Sequence, residues 1–466
     1  QYKYVNDSGV TTKLDISGNK TGLSEDFVDS AKGLLIDTTP TTETELYVPQ
    51  IELERYSRKS LGIYTMNGKL KVLQETGKTN ELKISGGEGN IGIYADGGDI
   101  DYTGNITMGG SALPDNQTDA NKSGGNKAGK GNIGIFSTNA KTINVNGDFK
   151  TYNSNGSTID GLGVYANAAS KVNLKKNTEI KLEAGETGEN TGIFATGAGT
   201  VVSVGADQTT PATFTTGKDA TKRSSITIDG KDKKLGTALY AQNGGVINAN
   251  GANLTNGLKI KVTNGSVAIA SEGTNSKVNA NFSDIDYSGE GYALYTNTGG
   301  KIDVSHSKIS LRGNATGFER DVLVGTSPIT LTGASITAYS NDVTIMNLRN
   351  VPSLSLTTLN SSLSTYTGGV THSAGTDSVT GEVYNKYKIA AVDGLPAYDI
   401  NANLDKSLAV DDANASLNDY VFTRRLSVQR AKVNLKAGFN VKAVLSGADL
   451  TQIGEKTVVG LSMNSS

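Results

Sequence analysis

A parallel β-helix is the fold class this sequence predicts, and three observations carry it. The first is a recurring phrase: a small residue, an aliphatic, an aromatic, then Ala, Ser or Thr. It reads Gly62-Ile63-Tyr64-Thr65, Gly92-Ile93-Tyr94-Ala95, Gly134-Ile135-Phe136-Ser137, Gly163-Val164-Tyr165-Ala166, Gly192-Ile193-Phe194-Ala195 and Ala238-Leu239-Tyr240-Ala241. A degenerate copy, Ala268-Ile269-Ala270-Ser271, precedes a clean one at Ala293-Leu294-Tyr295-Thr296. The second observation is the spacing, which clusters near about thirty residues, the period of a stacked solenoid. The third is that each copy is followed by apolar-polar-apolar triplets at a steady offset, among them Ile100-Asp101-Tyr102, Ile143-Asn144-Val145, Val172-Asn173-Leu174 and Ile302-Asp303-Val304.

Each element follows from local chemistry. The phrase is short and bounded by Gly and Asn, so it reads as a strand. Helical solenoids need ten or more residues of helical periodicity per element. A turn of Gly, Asn, Asp or Ala comes next, as in Asp96-Gly97-Gly98-Asp99. The triplet alternates with period two and is a second, half-buried strand. A third strand follows in most repeats, as in Leu82-Lys83-Ile84, Ile180-Lys181-Leu182 and Ile285-Asp286-Tyr287. Three strands make one coil, and no coil can bury its own inner face. Stacking coils closes a continuous aliphatic core. Strict alternation places Ile91, Ile93 and Ala95 inside and Gly92 and Tyr94 outside. The aromatics then form a column that either grips sugar or protein, or is covered and purely structural.

Along the chain, residues 1–60 read as an irregular or capping region, with a short helix over Leu23 to Gly33. Residues 61–365 are the repeat body, with inserts at 109–131 and 205–235. Residues 366–430 form a non-repeat subdomain holding Tyr366, Tyr384, Tyr387 and Tyr398 beside Lys386 and Lys388, a helix candidate from Leu404 to Asp419, and the basic pair Arg424-Arg425. Strand patterns resume over 431–466. Tyrosine- and arginine-rich surface is the composition of interaction sites. The candidate binding residues are therefore Tyr94, Tyr165, Tyr240, Tyr295, Tyr384, Tyr387, Arg424 and Arg425.

Composition narrows the function. Fifty-seven Gly against seven Pro is a turn-rich β composition, and a hydrophobic share of 36% suits a thin rod with much surface. A net charge of −2 with interspersed signs leaves no footprint for nucleic acid. Cysteine is absent, so disulfides and thiolate metal sites are excluded. The two histidines, His306 and His372, sit in no ligand-spaced motif, and the sequence calls for no metal or cofactor. No apolar stretch is long enough to cross a bilayer, and no signal peptide is visible at Gln1. The chain reads as an excised or mature segment of something larger. The enzyme alternative is a β-helical lyase or glycosidase, which needs carboxylates converging from neighbouring coils. Asp284, Asp286 and Asp303 are the one cluster worth testing, and the reading here is not an enzyme.

The phrase in Asn90-Ile91-Gly92-Ile93-Tyr94-Ala95, Glu189-Asn190-Thr191-Gly192-Ile193-Phe194-Ala195 and Gly291-Tyr292-Ala293-Leu294-Tyr295 resembles the passenger regions of large fusobacterial type V autotransporter adhesins. The resemblance covers about residues 60–320. It implies that the β-helix read above, with its loop inserts and small non-repeat subdomain near the C-terminal end, is a right-handed parallel β-helix on the bacterial cell surface, with membrane attachment through a C-terminal barrel missing from this chain. It further implies a monomeric passenger that binds a host-cell protein, a host glycan or another bacterium. A pure stalk, with binding elsewhere in a longer protein, is the remaining alternative.

Overall fold

The computed structural model describes residues 2–4, 11–12, 28–30, 32–53, 57–110, 130–185, 190–205, 223–312, 315–321, 329–330, 334–338, 344–349, 370–376, 383–389, 400–403 and 426–428. The described chain is almost wholly strand. Its single helical element is one 3₁₀ turn, Lys231–Lys233. Two compact units divide it, residues 1–250 and 251–466.

The first unit is a parallel β-helix of three sheets. Each coil lays one strand into each sheet, so every strand pairs with its counterpart one coil away. Sheet I takes the phrase strands, among them Leu61–Asn67, Ile91–Ala95, Ile133–Ser137, Leu162–Ala166, Thr191–Thr196 and Thr237–Gln242. Sheet II takes Lys69–Leu73, Ile100–Tyr102, Thr142–Val145, Lys171–Leu174, Val201–Val204 and Val246–Asn248. Sheet III takes Gln50–Leu53, Glu81–Ile84, Asn105–Met108, Phe149–Lys150, Thr178–Glu183 and Ser225–Asp229. Equivalent residues stand in register, which is why a sequence repeat becomes a physical column. Ile63, Ile93, Ile135, Val164, Ile193 and Leu239 all have zero exposure. Each such side chain contributes about 1.5–3 kcal/mol of burial.

Coils already occupy part of the region read as irregular or capping, where Leu46-Tyr47-Val48 and Ile51-Glu52-Leu53 read as strands. Lys32–Asp37 is a sheet I strand paired with Leu61–Asn67, with Leu34 opposite Ile63 and Leu35 opposite Tyr64. Glu43–Tyr47 and Gln50–Leu53 complete that coil. The expected helix over 23–33 is overturned where it is described: Val28–Asp29 is a strand, and Gly33 is the small residue of a first, ring-free copy of the phrase. Leu-Leu-Ile satisfies helix and strand alike, and only pairing with the next coil arbitrates. Tyr2–Tyr4 lies antiparallel on Glu43–Tyr47 and covers that edge of sheet II.

Within the range read as a second insert, Ser225–Asp229 is an ordinary sheet III strand, with Ile226 opposite Ile180. An unanticipated hairpin interrupts sheet III in another coil. Tyr152–Asn153 pairs with Gly156–Ile159 across a Ser154-Asn155 turn.

The second unit uses the same three-strand grammar. Val267–Glu272, Tyr292–Asn297, Thr316–Asp321 and Thr344–Arg349 pair in parallel as phrase strands. Lys277–Asn279 and Lys301–Asp303 belong to its sheet II, and Lys259–Thr263, Asp284–Ser288 and Lys308–Arg312 to its sheet III. Regularity then changes. Ile400–Asn403 is antiparallel to Ser335–Ala338, and Val370–Thr376 forms an antiparallel pair with Val383–Ile389. The helix candidate at 404–419 and the strands expected over 431–466 lie outside the described residues.

Candidate functional site

The phrase does not alternate as a simple strand would. In Ile91–Ala95, Gly92, Ile93 and Ala95 are buried, whereas Ile91 and Tyr94 are half-exposed. This corrects the expected facing of two residues: Ile91 lies outside and Gly92 inside. Two successive inward residues mark a local irregularity, and register pairing skips the glycine in every clean copy of the first unit. The glycine is required by contact. A Cβ on Gly92 would stand 2.5 Å from the Gly134 carbonyl oxygen and 3.2 Å from Leu82 Cδ2. The same clash recurs at Gly62, Gly163 and Gly192. Each glycine lets its strand settle onto the next coil and turns the following residue's side chain into the core.

The consequence is an outward ladder of six rings on sheet I. Tyr64, Tyr94, Phe136, Tyr165, Phe194 and Tyr240 stack successively, with centroids 4.7 to 5.3 Å apart and planes within 15° of parallel. Coil spacing dictates this distance, because in-register strands repeat near 4.8 Å. Each inner ring spends both faces on its neighbours. The ladder therefore offers ring edges and hydroxyls, not open π-faces, and is no platform for stacking sugar rings. The Tyr64 hydroxyl donates to Asp96 at 3.3 Å, and the Tyr165 hydroxyl accepts from Asn167 at 3.1 Å. Partial burial, and next the Asp96 charge, raise the phenol pKa of both Tyr64 and Tyr94.

The ladder has two unlike flanks. On one side run Leu61, Ile91, Ile133 and Leu162, all half-exposed, giving way to Thr191 and Thr237. On the other run Met66, Asp96, Thr138, Asn167, Thr196 and Gln242, polar apart from the first. Leu35, 43% exposed, holds the ring position in the first coil.

Of the predicted binding residues, Tyr94, Tyr165 and Tyr240 thus fall in one ladder. Tyr295 belongs to the second unit, where it stands opposite Ala270 and stacks on Tyr292 at 5.7 Å. Ala270 is only 4% exposed, so the missing ring leaves no open slot. Tyr384 and Tyr387 lie on the Val383–Ile389 strand, opposite Gly375 and His372. Arg424 and Arg425 lie outside the described residues. The ladder also takes in Tyr64, Phe136 and Phe194, which hold the same place in the phrase. No family model, curated protein or solved structure matches this chain.

The three aspartates of the enzyme alternative do not converge. Asp284 and Asp286 sit on sheet III of the second unit and Asp303 on its sheet II. Asp284 stands between Lys259 and Lys308, Asp286 accepts from Arg312 Nε at 3.0 Å, and Asp303 accepts from Ser305. Among the described residues no group of three or more His, Asp or Glu could hold a metal ion.

One polar cluster escaped the sequence reading, because it depends on the unexpected hairpin. Tyr152 donates its hydroxyl to Glu179 Oε2 at 2.6 Å, and Lys181 Nζ stands 3.9 Å above its ring. Lys150 adds an ion pair to Glu179 at 3.5 Å. The Glu179 bond, with burial second, pushes the Tyr152 phenol up to about 12. Its folded pKa lies above the ordinary phenol value of about 10. The bond's contribution is therefore complete below pH about 10 and lost as pH rises through about 12. Ultraviolet titration of Tyr152→Phe against the parent should remove one component with a midpoint near 12. A lost component near pH about 10 would show that the bond is not made in solution.

Proposed function

We propose that the chain is a scaffold segment of a bacterial cell-surface adhesin, the passenger part of a larger secreted or outer-membrane protein, and that it does no catalysis. One observation supports this above the others. Outward side chains are matched to their counterparts in adjacent coils, rings on rings, Asn173 on Asn144, Lys71 on Glu45. Such pairing stiffens a solenoid along its axis, whereas a polysaccharide-cleaving site needs carboxylates aimed at one point. The coil is then the stalk, and recognition of a host protein, a glycan or a partner bacterium falls to residues 109–131 and 366–430, where the repeat is interrupted.

Beads coated with the full chain should bind host epithelial cells or partner bacteria saturably, with free chain competing. Binding should survive the combined change Asp284→Asn, Asp286→Asn and Asp303→Asn. Beads that adhere no better than uncoated ones, or polysaccharide turnover that the triple change abolishes, would overturn the reading.

A further inference from the structure

We propose that the outer face of sheet I in the first unit is a weak self-association surface, on which a second copy of this chain docks antiparallel. This goes beyond adhesion to a foreign partner, and it departs from the monomer expected for a passenger.

The ring column from Leu35 to Phe194 and the aliphatic column from Leu61 to Leu162 are apolar and partly open to solvent, and Lys32 and Thr191 hold the two end positions of the aliphatic column. The occupant is chosen by pitch. The ladder repeats every 4.7 to 5.3 Å. An α-helix repeats every 5.4 Å or so, and one face of an extended strand about every 6.6 Å. Either would drift out of step along the stripe. A second copy carries the same pitch, so its rings meet these edge to edge and stay in step over the whole length.

The orientation follows from the flanks. In a parallel face-to-face pair the two-fold axis lies along the coil and sets the aliphatic column of each copy against the polar column of the other. In an antiparallel pair the axis runs across the coil. Aliphatic then faces aliphatic, and the contact closes as an isologous dimer. Centring the axis between the second and third rings sets Ile91 on Ile133 and Leu61 on Leu162, and sets Leu35 on Phe194. The single formal charge on the polar flank from Met66 to Gln242, Asp96, is already held by Tyr64 and Asn139.

Size sets the strength. Six coils by five strand positions is roughly 25 Å by 16 Å, about 400 Å² per copy. A total near 800 Å² lies below the roughly 1,200 Å² of stable complexes. The dimer is therefore weak alone, and effective where many copies crowd one surface.

Sedimentation velocity of the full chain over a wide concentration range tests this. The parent should shift reversibly from monomer to dimer. Ile91→Lys with Ile133→Lys leaves the rings intact and should weaken association at least about tenfold, with the far-ultraviolet dichroism and the cell binding of coated beads unchanged. The chain has no cysteine, so Ile133→Cys supplies a second readout that leaves the fold nearly untouched. Under mild oxidation it should give a disulfide-linked dimer faster than Asn155→Cys at the exposed hairpin tip. A parent that stays monomeric throughout, a lysine variant that associates like the parent, or equal crosslinking at both cysteines would each overturn the proposal. Loss of cell binding with dimerisation intact would count against the adhesin reading alone.

Discussion

Replacing Gly163 by valine is expected to destabilise the first unit by about 3 kcal/mol or more, the upper range for overpacking a core. A Cβ at this position would stand 2.5 Å from the Gly192 carbonyl oxygen and 2.8 Å from Ile180 Cδ1. The oxygen belongs to a backbone held on both sides by parallel pairing, so it cannot retreat without breaking ladder hydrogen bonds. Alanine occupies the equivalent position at 238, 268 and 293, so one methyl fits where the coil is built around it. Valine adds two further carbons toward Ile180. For a unit of this size the melting midpoint should fall by roughly 6–12 °C. Gly77→Ala is the control. Its φ is +76°, no atom lies within 4 Å, and its cost should be about 1 kcal/mol from the left-handed backbone alone. A Gly163→Val midpoint no lower than that of the control would show that strand contact does not require the glycine.

Two asparagines at equivalent corners should behave oppositely. Asn90 is fully buried and uses both ends of its carboxamide. Its Oδ1 accepts from the Ser60 amide at 3.0 Å, and its Nδ2 donates to the Ser57 carbonyl at 2.9 Å. Asn132 repeats the motif one coil on, accepting from the Asn90 amide at 2.8 Å. Asn90→Ala takes the acceptor from the buried Ser60 amide and Ser57 hydroxyl, while the Ser57 carbonyl keeps the Glu88 amide, and should cost about 3 kcal/mol. Asn190 is 2% exposed, yet neither its Oδ1 nor its Nδ2 has a partner among the described residues. Glycines at 161 and 236 take the corresponding corners of the adjacent coils, so the column of side chains is interrupted on either side. Removing an unsatisfied buried amide relieves a desolvation cost. Asn190→Ala should therefore be neutral or stabilising by about 1 kcal/mol. Denaturant melts of the two variants check the pair. Equal losses would mean that Asn190 finds a partner in solution.

Those two residues also show how far letters carry. Asn90 and Asn190 precede the same phrase and read alike. Their difference lies a coil away, in whether the neighbouring corner holds an amide or a glycine. The phrase strands and the triplets, by contrast, were legible because solenoid contacts are made between equivalents. Wherever Ile63, Ile93 and Ile135 recur at one period, stacking them is the sole way to bury them all. The facing of Ile91 and Gly92 was misread for the opposite reason. Alternation is a rule for one isolated strand, and the glycine irregularity answers to the carbonyl of the next one.

From its amino acids alone this chain commits to coils, to a three-strand unit and to a column of rings, because those features follow from periodicity and from the need to bury aliphatic carbon. Folding in space settled the rest. It turned ring faces against each other and left their edges outside, put Asp303 on a different sheet from Asp284 and Asp286, recruited Leu34 to Ile36 as a first coil, and brought Tyr152 over Glu179. Apart from the separation of the aspartates, each of these is a contact between residues of neighbouring coils, far apart in sequence, whose partners are set by how coils stack, a distance and direction that no local pattern encodes.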